Sequence, residues 1–342
     1  MLMNRNDYKH QPTLVLFVFS LFLFGCHNKE GMHSSDDPPF TVLKEIPEGE
    51  GIIFIHKNDF SSEEARDTVR SMRPDGSQKE DLIRARTSFA SSFLLSQDRK
   101  KIVVGIWDPS GEVQIQDAHY SLSFYYLWLI EATKGLQLTG LREGNVDDSA
   151  EAWSKDGKTI FYTHQGGIRI GQVVGSILFD PWEIWAINID GSNPLRIVDG
   201  TRASLSPDGN TLAVYRARPI EGTNYSNLET IFVDPDGTNV RLFRNAVSGC
   251  EWAKSGIYLA CIYLSNTEDN IALFNPNGDL IRKLTSGVRV ITLSWSPDEQ
   301  WLVYYIHEGN GGSIWKIRVD GSGPPVRLTP EGKRNFSPKW LP

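Results

Sequence analysis

The sequence predicts an all-β fold, a six-bladed β-propeller whose ring is closed by pairing the N-terminal strand with the C-terminal strand. Three observations carry this. Ser294-Trp295-Ser296-Pro297-Asp298, with the apolar run Leu302-Val303-Tyr304-Tyr305 behind it, recurs in degraded form along the chain. A second turn type follows each copy, and those at Asp190, Asp236, Asn277 and Asp320 are 46, 41 and 43 residues apart. No helical period accompanies them, while Gly 30, Pro 18 and 11% aromatic residues suit many turns between layered sheets.

Relatives of the opening stretch are Leu95-Ser96-Gln97-Asp98, Trp153-Ser154-Lys155-Asp156-Gly157, Leu205-Ser206-Pro207-Asp208-Gly209 and Trp252-Ala253-Lys254-Ser255-Gly256. Each precedes a short β-rich run such as Ile160-Phe161-Tyr162 or Leu212-Ala213-Val214, so each reads as a hairpin closed where glycine tolerates positive φ. The second turn ends strands such as Ile184-Trp185-Ala186-Ile187-Asn188-Ile189-Asp190-Gly191-Ser192 and Ile314-Trp315-Lys316-Ile317-Arg318-Val319-Asp320-Gly321-Ser322. A period of about 40–45 residues with four short strands per unit belongs to propeller blades. Five inner hairpins begin near residues 94, 152, 204, 251 and 294. The sixth is split between Phe336–Leu341 at the end of the chain and Gly51–His56 at the start of the domain. The repeat tryptophans Trp153, Trp185, Trp252, Trp295 and Trp315 recur in phase and read as blade packing.

Ser-Pro-Asp-Gly before a strand, then Ile-Trp-x-x-Asn-x-Asp-Gly-Ser and an outer Arg327-Leu328-Thr329 or Lys283-Leu284-Thr285, resembles the PD40 repeats of TolB-like propellers. The resemblance covers residues 46–342. It implies the WD40-like fold and an envelope setting, but no particular activity, because one superfold hosts many functions.

Residues 1–25 read as a lipoprotein signal peptide. Arg5, Lys9 and His10 precede an apolar run from Leu14 to Gly25, too short for a bilayer span. The run ends Leu23-Phe24-Gly25-Cys26, which resembles a bacterial lipobox with Cys26 as the acylated residue. His27 in the next position favours the outer membrane, at its periplasmic face or the cell surface. Residues 26–45 read as a flexible linker, with Ser34-Ser35-Asp36-Asp37-Pro38-Pro39, too short for the α/β domain that precedes the propeller in TolB. Cys250 and Cys261 fall on two strands of one hairpin. Regular pairing makes them diagonal neighbours, which favours free thiols over a disulfide. A net charge of −7 without a basic cluster argues against nucleic acid.

The inner-hairpin turns and the Asp-Gly-Ser turns share one face of the disc. The connections from second to third strands lie on the other face, and three are long, around Trp107–Ser123, Gln165–Pro181 and Arg216–Asn227. Long connections carry function disproportionately. Four histidines lie there. His56, His164 and His307 follow second strands and are candidate ligands for a divalent metal, and His119 sits within a long connection. Pectate-degrading lyases of similar propeller fold use His and a divalent metal near the channel. The plainer reading is three unrelated rim histidines. Arg216, Arg218 and Tyr225 are candidates for an anionic or carbohydrate ligand, and His119, Trp107 and Trp182 for its stacking or polar contacts. No catalytic set emerges; Gly-x-Ser-x-Gly and His-Glu-x-x-His are both missing. The expectation is a lipid-anchored, monomeric, non-catalytic scaffold for an envelope protein or polysaccharide, without a cofactor. The alternative is a polysaccharide lyase using rim His and Arg residues with a divalent metal.

Overall fold

The structure is a computed structural model that describes residues 38–57, 67–108, 112–115, 118–121, 124–139, 145–166, 168–170, 177–179, 181–220, 226–264, 269–308, 311–330 and 334–342. The expected signal peptide, Cys26 and Tyr225 lie outside these residues.

All described secondary structure is β. The chain begins with β1 (Phe40–Val42), β2 (Ile52–His56), β3 (Thr68–Met72) and β4 (Glu80–Ala85), the non-axial strands of blade 1. Blade 2 comprises β5 (Phe89–Leu95), β6 (Lys101–Asp108), β9 (Phe124–Glu131) and β10 (Lys134–Gln137), with β7 (Glu112–Ile115) and β8 (Ala118–Ser121) as a hairpin between its second and third strands. Blade 3 repeats the plan with β11 (Asn145–Trp153), β12 (Thr159–Gly166), β15 (Glu183–Asn188) and β16 (Leu195–Asp199), and a hairpin of β13 (Ile168–Ile170) and β14 (Ile177–Phe179). Blade 4 is β17 (Thr201–Leu205), β18 (Leu212–Pro219), β19 (Ser226–Val233) and β20 (Arg241–Asn245). Blade 5 is β21 (Val247–Trp252), β22 (Leu259–Leu264), β23 (Asp269–Phe274) and β24 (Leu280–Lys283). Blade 6 is β25 (Val290–Trp295), β26 (Trp301–Glu308), β27 (Gly311–Arg318) and β28 (Val326–Arg327). The last strand, β29 (Asn335–Trp340), pairs antiparallel with β2, Ile52 opposite Trp340 and His56 opposite Asn335, so blade 1 is built from both ends of the domain as expected.

Packing follows from strand alternation. Both faces of each blade meet another blade, so second strands are apolar at consecutive positions rather than alternate ones. On β18, Leu212 and Val214 join a cluster with blade 3, and Ala213 between them joins one with blade 5. One buried cluster fills each of the six interfaces, including that of blades 6 and 1, where Val303 and Ile314 meet Ile52, Phe54 and Trp340. The repeat tryptophans pack against these clusters at their partly buried margins.

The inner-hairpin turns are held by one side-chain device. Ser96, Ser154, Ser206 and Ser296 each donate Oγ–H to the Asp two residues on, at 2.5–2.7 Å. The same Asp oxygen accepts the backbone N–H two residues further, and each Ser Oγ accepts the amide that opens the next strand. The hydrogen bonds hold Asp98, Asp156, Asp208 and Asp298 below the usual carboxylate range.

All six inner strands carry a β-bulge. On β17, Arg202 and Ala203 together oppose Val214; on β21, Gly249 and Cys250 oppose Cys261; on β29, Ser337 and Pro338 oppose Phe54. On β5 three residues oppose Gly105, and on β11 and β25 Glu151 and Ile291 are the extra residues. Arg202, Gly249 and Ser337 take positive φ. A bulge bends its strand and re-aims the bulged side chains.

Two expectations are corrected. Cys250 and Cys261 are disulfide-bonded, with Cα atoms 4.0 Å apart. The bulge supplies the reason, because the inserted residue moves Cys250 from a diagonal position to one facing Cys261. The linker expected over 26–45 contains a docked strand. β1 pairs with β4 as a fifth strand on the outer edge of blade 1, and Phe40 is 3% exposed, edge-on to Trp128 and against Gly135, where a Cβ would come within 2.6 Å of its ring. On the short-turn face, Arg99 donates to the backbone carbonyls of Pro47, Gly49 and Pro342, tying together the segments that complete blade 1.

Phe40→Ala is expected to lower unfolding stability by about 3–5 kcal/mol, the range for truncating a buried aromatic. Chemical denaturation of the propeller domain measures it. Reducing the Cys250–Cys261 bond should lower the melting temperature of wild type and leave a Cys250→Ala/Cys261→Ala variant unmoved by reductant.

Candidate functional site

The bulges place a charged network in the axial channel. Arg202 on blade 4 donates Nη1–H to the carbonyl of Ile291 on blade 6, at 3.2 Å, passing the inner strand of blade 5. Gly249, in the left-handed region, lies alongside that guanidinium, with the Ile262 side chain its tighter neighbour. Lys339 on blade 1 reaches Glu251 on blade 5 at 2.7 Å, passing blade 6. Glu151 on blade 3 accepts the Thr163 hydroxyl proton at 2.5 Å, and Thr163 also meets Thr201 at 3.2 Å.

Burial drives the electrostatics here. Glu151 is pushed up to about 7, mainly by desolvation, against the opposing Thr163 hydrogen bond and the charges of Arg202 and Lys339. Asp147, four residues earlier on β11, is also pushed up to about 7 by desolvation and then by Asp148, with Lys57 opposing. Lys57 is lowered, chiefly by desolvation, although the charge of Asp67 pulls the other way. Arg202 is lowered by burial. Asp67 accepts from the Ser88 hydroxyl at 2.5 Å and the Phe89 amide at 3.1 Å. Two carboxyls of one inner strand thus titrate near neutrality, within the range in which such groups exchange protons.

The rim residues singled out in the sequence are separately engaged. His56 Nδ1 lies 2.9 Å from Asn335 Oδ1. His164 Nδ1 is 2.7 Å from the buried carboxylate of Asp148, and its ring meets Trp185 edge-on at 5.4 Å. His307 is exposed on blade 6. These histidines stand on blades 1, 3 and 6, and among the described residues no group of three His, Cys, Asp or Glu side chains is placed to hold a metal ion. Arg216 and Arg218 both turn to Glu229, at 2.8 and 3.4 Å, and Glu229 is 2% exposed. Trp107 is half-buried, its amide and carbonyl held by Ser88 and Thr87. Trp182 is half-buried with its carbonyl bonded to Gly200, and His119 stands on β8. The structure therefore disperses the rim set and shows a different one, Asp147 and Glu151 on the inner strand β11, with the charge of Lys57 acting on the first and that of Arg202 on the second. The available signal was acidic residues inside a repeat strand, Asp147-Asp148-Ser149-Ala150-Glu151.

No protein-family model matches the chain, and no curated protein matches it in sequence. Solved structures do. TolB from Acinetobacter baumannii superposes with a TM-score of 0.65 at 18% identity, covering 86% of this chain and 67% of that one. A nidogen/laminin complex gives 0.60 at 12% identity, covering 86% and 98%. The putative TolB from Agrobacterium tumefaciens gives 0.54 at 13% identity, covering 86% and 99%. These likenesses establish the fold, a TolB-like β-propeller.

The raised Glu151 carboxyl has a signed consequence. The folded state keeps its proton from pH 4.5 up to about 7 while the unfolded chain loses it, so stability from this group is present at low pH and falls as pH rises through that window. Melting temperatures of wild type and Glu151→Gln between pH 5 and 8 check this. The wild-type curve should fall more steeply with pH, and parallel curves would contradict the assignment.

Proposed function

We propose that this chain is a lipid-anchored propeller of the cell envelope that binds a protein or another envelope component through its long-connection face, without chemistry of its own. The observation that carries the reading is the cross-bracing of the channel. Arg202 and Lys339 span the axial space and are tied to Ile291 and Glu251, which leaves elaboration to the surface connections. On that face the hairpins β7–β8 and β13–β14 extend adjacent blades 2 and 3.

Export is supported by two independent features. Leu23-Phe24-Gly25-Cys26 closes an apolar leader in the manner of a lipobox. The Cys250–Cys261 disulfide suits an oxidising compartment such as the periplasm. The lyase alternative would recruit His164, Arg216 and Arg218, and these are already committed to Asp148 and Glu229.

Crosslinking of the tagged full-length protein in native envelopes tests the reading. A reproducible partner should appear, and shortening Gln165–Pro181 should remove it at unchanged melting temperature. Cys26→Ser should move the protein from the membrane fraction to the soluble one. Stoichiometric divalent metal in the purified domain, with cleavage of an acidic polysaccharide lost in His164→Ala, would overturn it.

A further inference from the structure

Blade 5 departs from the repeat on the short-turn face, opposite the one discussed above. The four other inner-hairpin turns follow the Ser-x-Asp pattern, and the residue two places after the Asp is polar in each, namely Lys100, Lys158, Asn210 and Gln300. Blade 5 has Ala253, Ser255 and Ile257 at these positions. The turn thus lacks its Ser–Asp hydrogen bond and is held instead by the Ser255 amide, which donates to Glu299 of blade 6. At the second turn, blade 5 has Leu280 where blades 3, 4 and 6 have Asn193, Asn239 and Gly323, and Ile281 follows at a position that is Pro194, Val240 and Pro324 in those blades.

Apolar side chains are exposed at both of these turns. Ile257 is 58% exposed, Tyr258 36%, Leu280 42% and Ile281 49%. Tyr258 and Ile281 line an open cleft of about 280 Å³ between blades 5 and 6, floored by Leu273 and Val319. That volume suits one or two side chains better than a small-molecule ligand, whose pockets begin at about 300 Å³. Local departures from a repeat that gain no packing mark functional positions.

The charges around the cleft are unequal. Its carboxylates are occupied, Glu299 by the Ser255 amide and Asp320 by Arg318 and Ser322. Arg282, on the cleft wall, makes no hydrogen bond or ion pair among the described residues and lies over the turn of blade 6, where a Cβ on Gly321 would be 3.0 Å from its Nη1. An unpaired guanidinium beside an apolar slot complements an aliphatic or aromatic side chain followed by a carboxylate.

We propose that the cleft between blades 5 and 6 is a docking site for a partner polypeptide that inserts an aliphatic or aromatic side chain and presents an adjacent carboxylate to Arg282. This second surface is independent of the long-connection face.

Fluorescence polarisation tests it, using the full domain and short labelled peptides with a Leu-Phe-Asp-Glu centre in a Gly/Ser frame. The controls replace the acids by Lys or the apolar pair by Ser. The acidic–apolar peptide should bind saturably and both controls about tenfold or more weaker, the loss of one good contact. Ile257→Ser and Ile281→Ser should each weaken it by about tenfold at unchanged melting temperature. Arg282→Glu should reverse the preference toward the Lys peptide, and shortening Gln165–Pro181 should have no effect. Absence of saturable binding, or an unchanged preference in Arg282→Glu, would overturn the proposal. So would self-association, or binding to phosphatidylglycerol vesicles, that Ile257→Ser abolishes while peptide binding stays absent.

Discussion

Six strands meeting around one axis govern the rest of this protein. Each inner strand must turn its sheet and still lie beside two other inner strands, and each does so by carrying at least one residue more than its partner. The cost is local, with Arg202 and Ser337 in the left-handed region. The consequence is general, because the extra residues aim into the axis or across the hairpin rather than into a regular ladder. Arg202 reaches Ile291 because both are bulged, and Cys250 meets Cys261 for the same reason.

Charge at the axis follows from that geometry. The Arg202 guanidinium is carried into buried surroundings and the Glu151 carboxyl that answers it is desolvated with it, while Lys339 and Glu251 keep 27% and 31% of their side-chain surface exposed. Buried pairs of this kind bring little net stability, since desolvation offsets their attraction. Glu151 and Asp147 lie on the losing side of that balance, so their carboxyls hold protons well above the usual range. The short-turn face runs the opposite way. There the aspartates are solvated and bonded to Ser hydroxyls and amides, and they stay ionised.

The repeat also works as an internal standard. Four turns agree on Ser-x-Asp followed by a polar residue, so Ala253, Ser255 and Ile257 are visible as departures in the sequence itself. What the string of residues does not show is that Leu280, a departure at the second turn, comes to the same end of the blade. Strand pairing of Phe274 with Leu280 brings the two together.

The sequence by itself determined the fold, the six blades and the shared ring-closing blade. A period near 43 residues admits few architectures, and an unpaired strand at each end of the domain calls for the other. It also pointed to the long second-to-third connections of blades 2 and 3, whereas most of the one expected over Arg216–Asn227 is paired strand, with Arg216 opposite Glu229 and Pro219 opposite Ser226. Only the tertiary structure decided the site. His56 and His164 align in the repeat with His307 one residue displaced, yet each answers to its own blade, while Glu151 and Arg202 come together through single-residue insertions in two strands. The disulfide depended on the same unit of register. A period of two residues assigns each side chain to a face, and one inserted residue reassigns it. Hydrophobic patterning records the faces well, and only the ladder shows where the count slips.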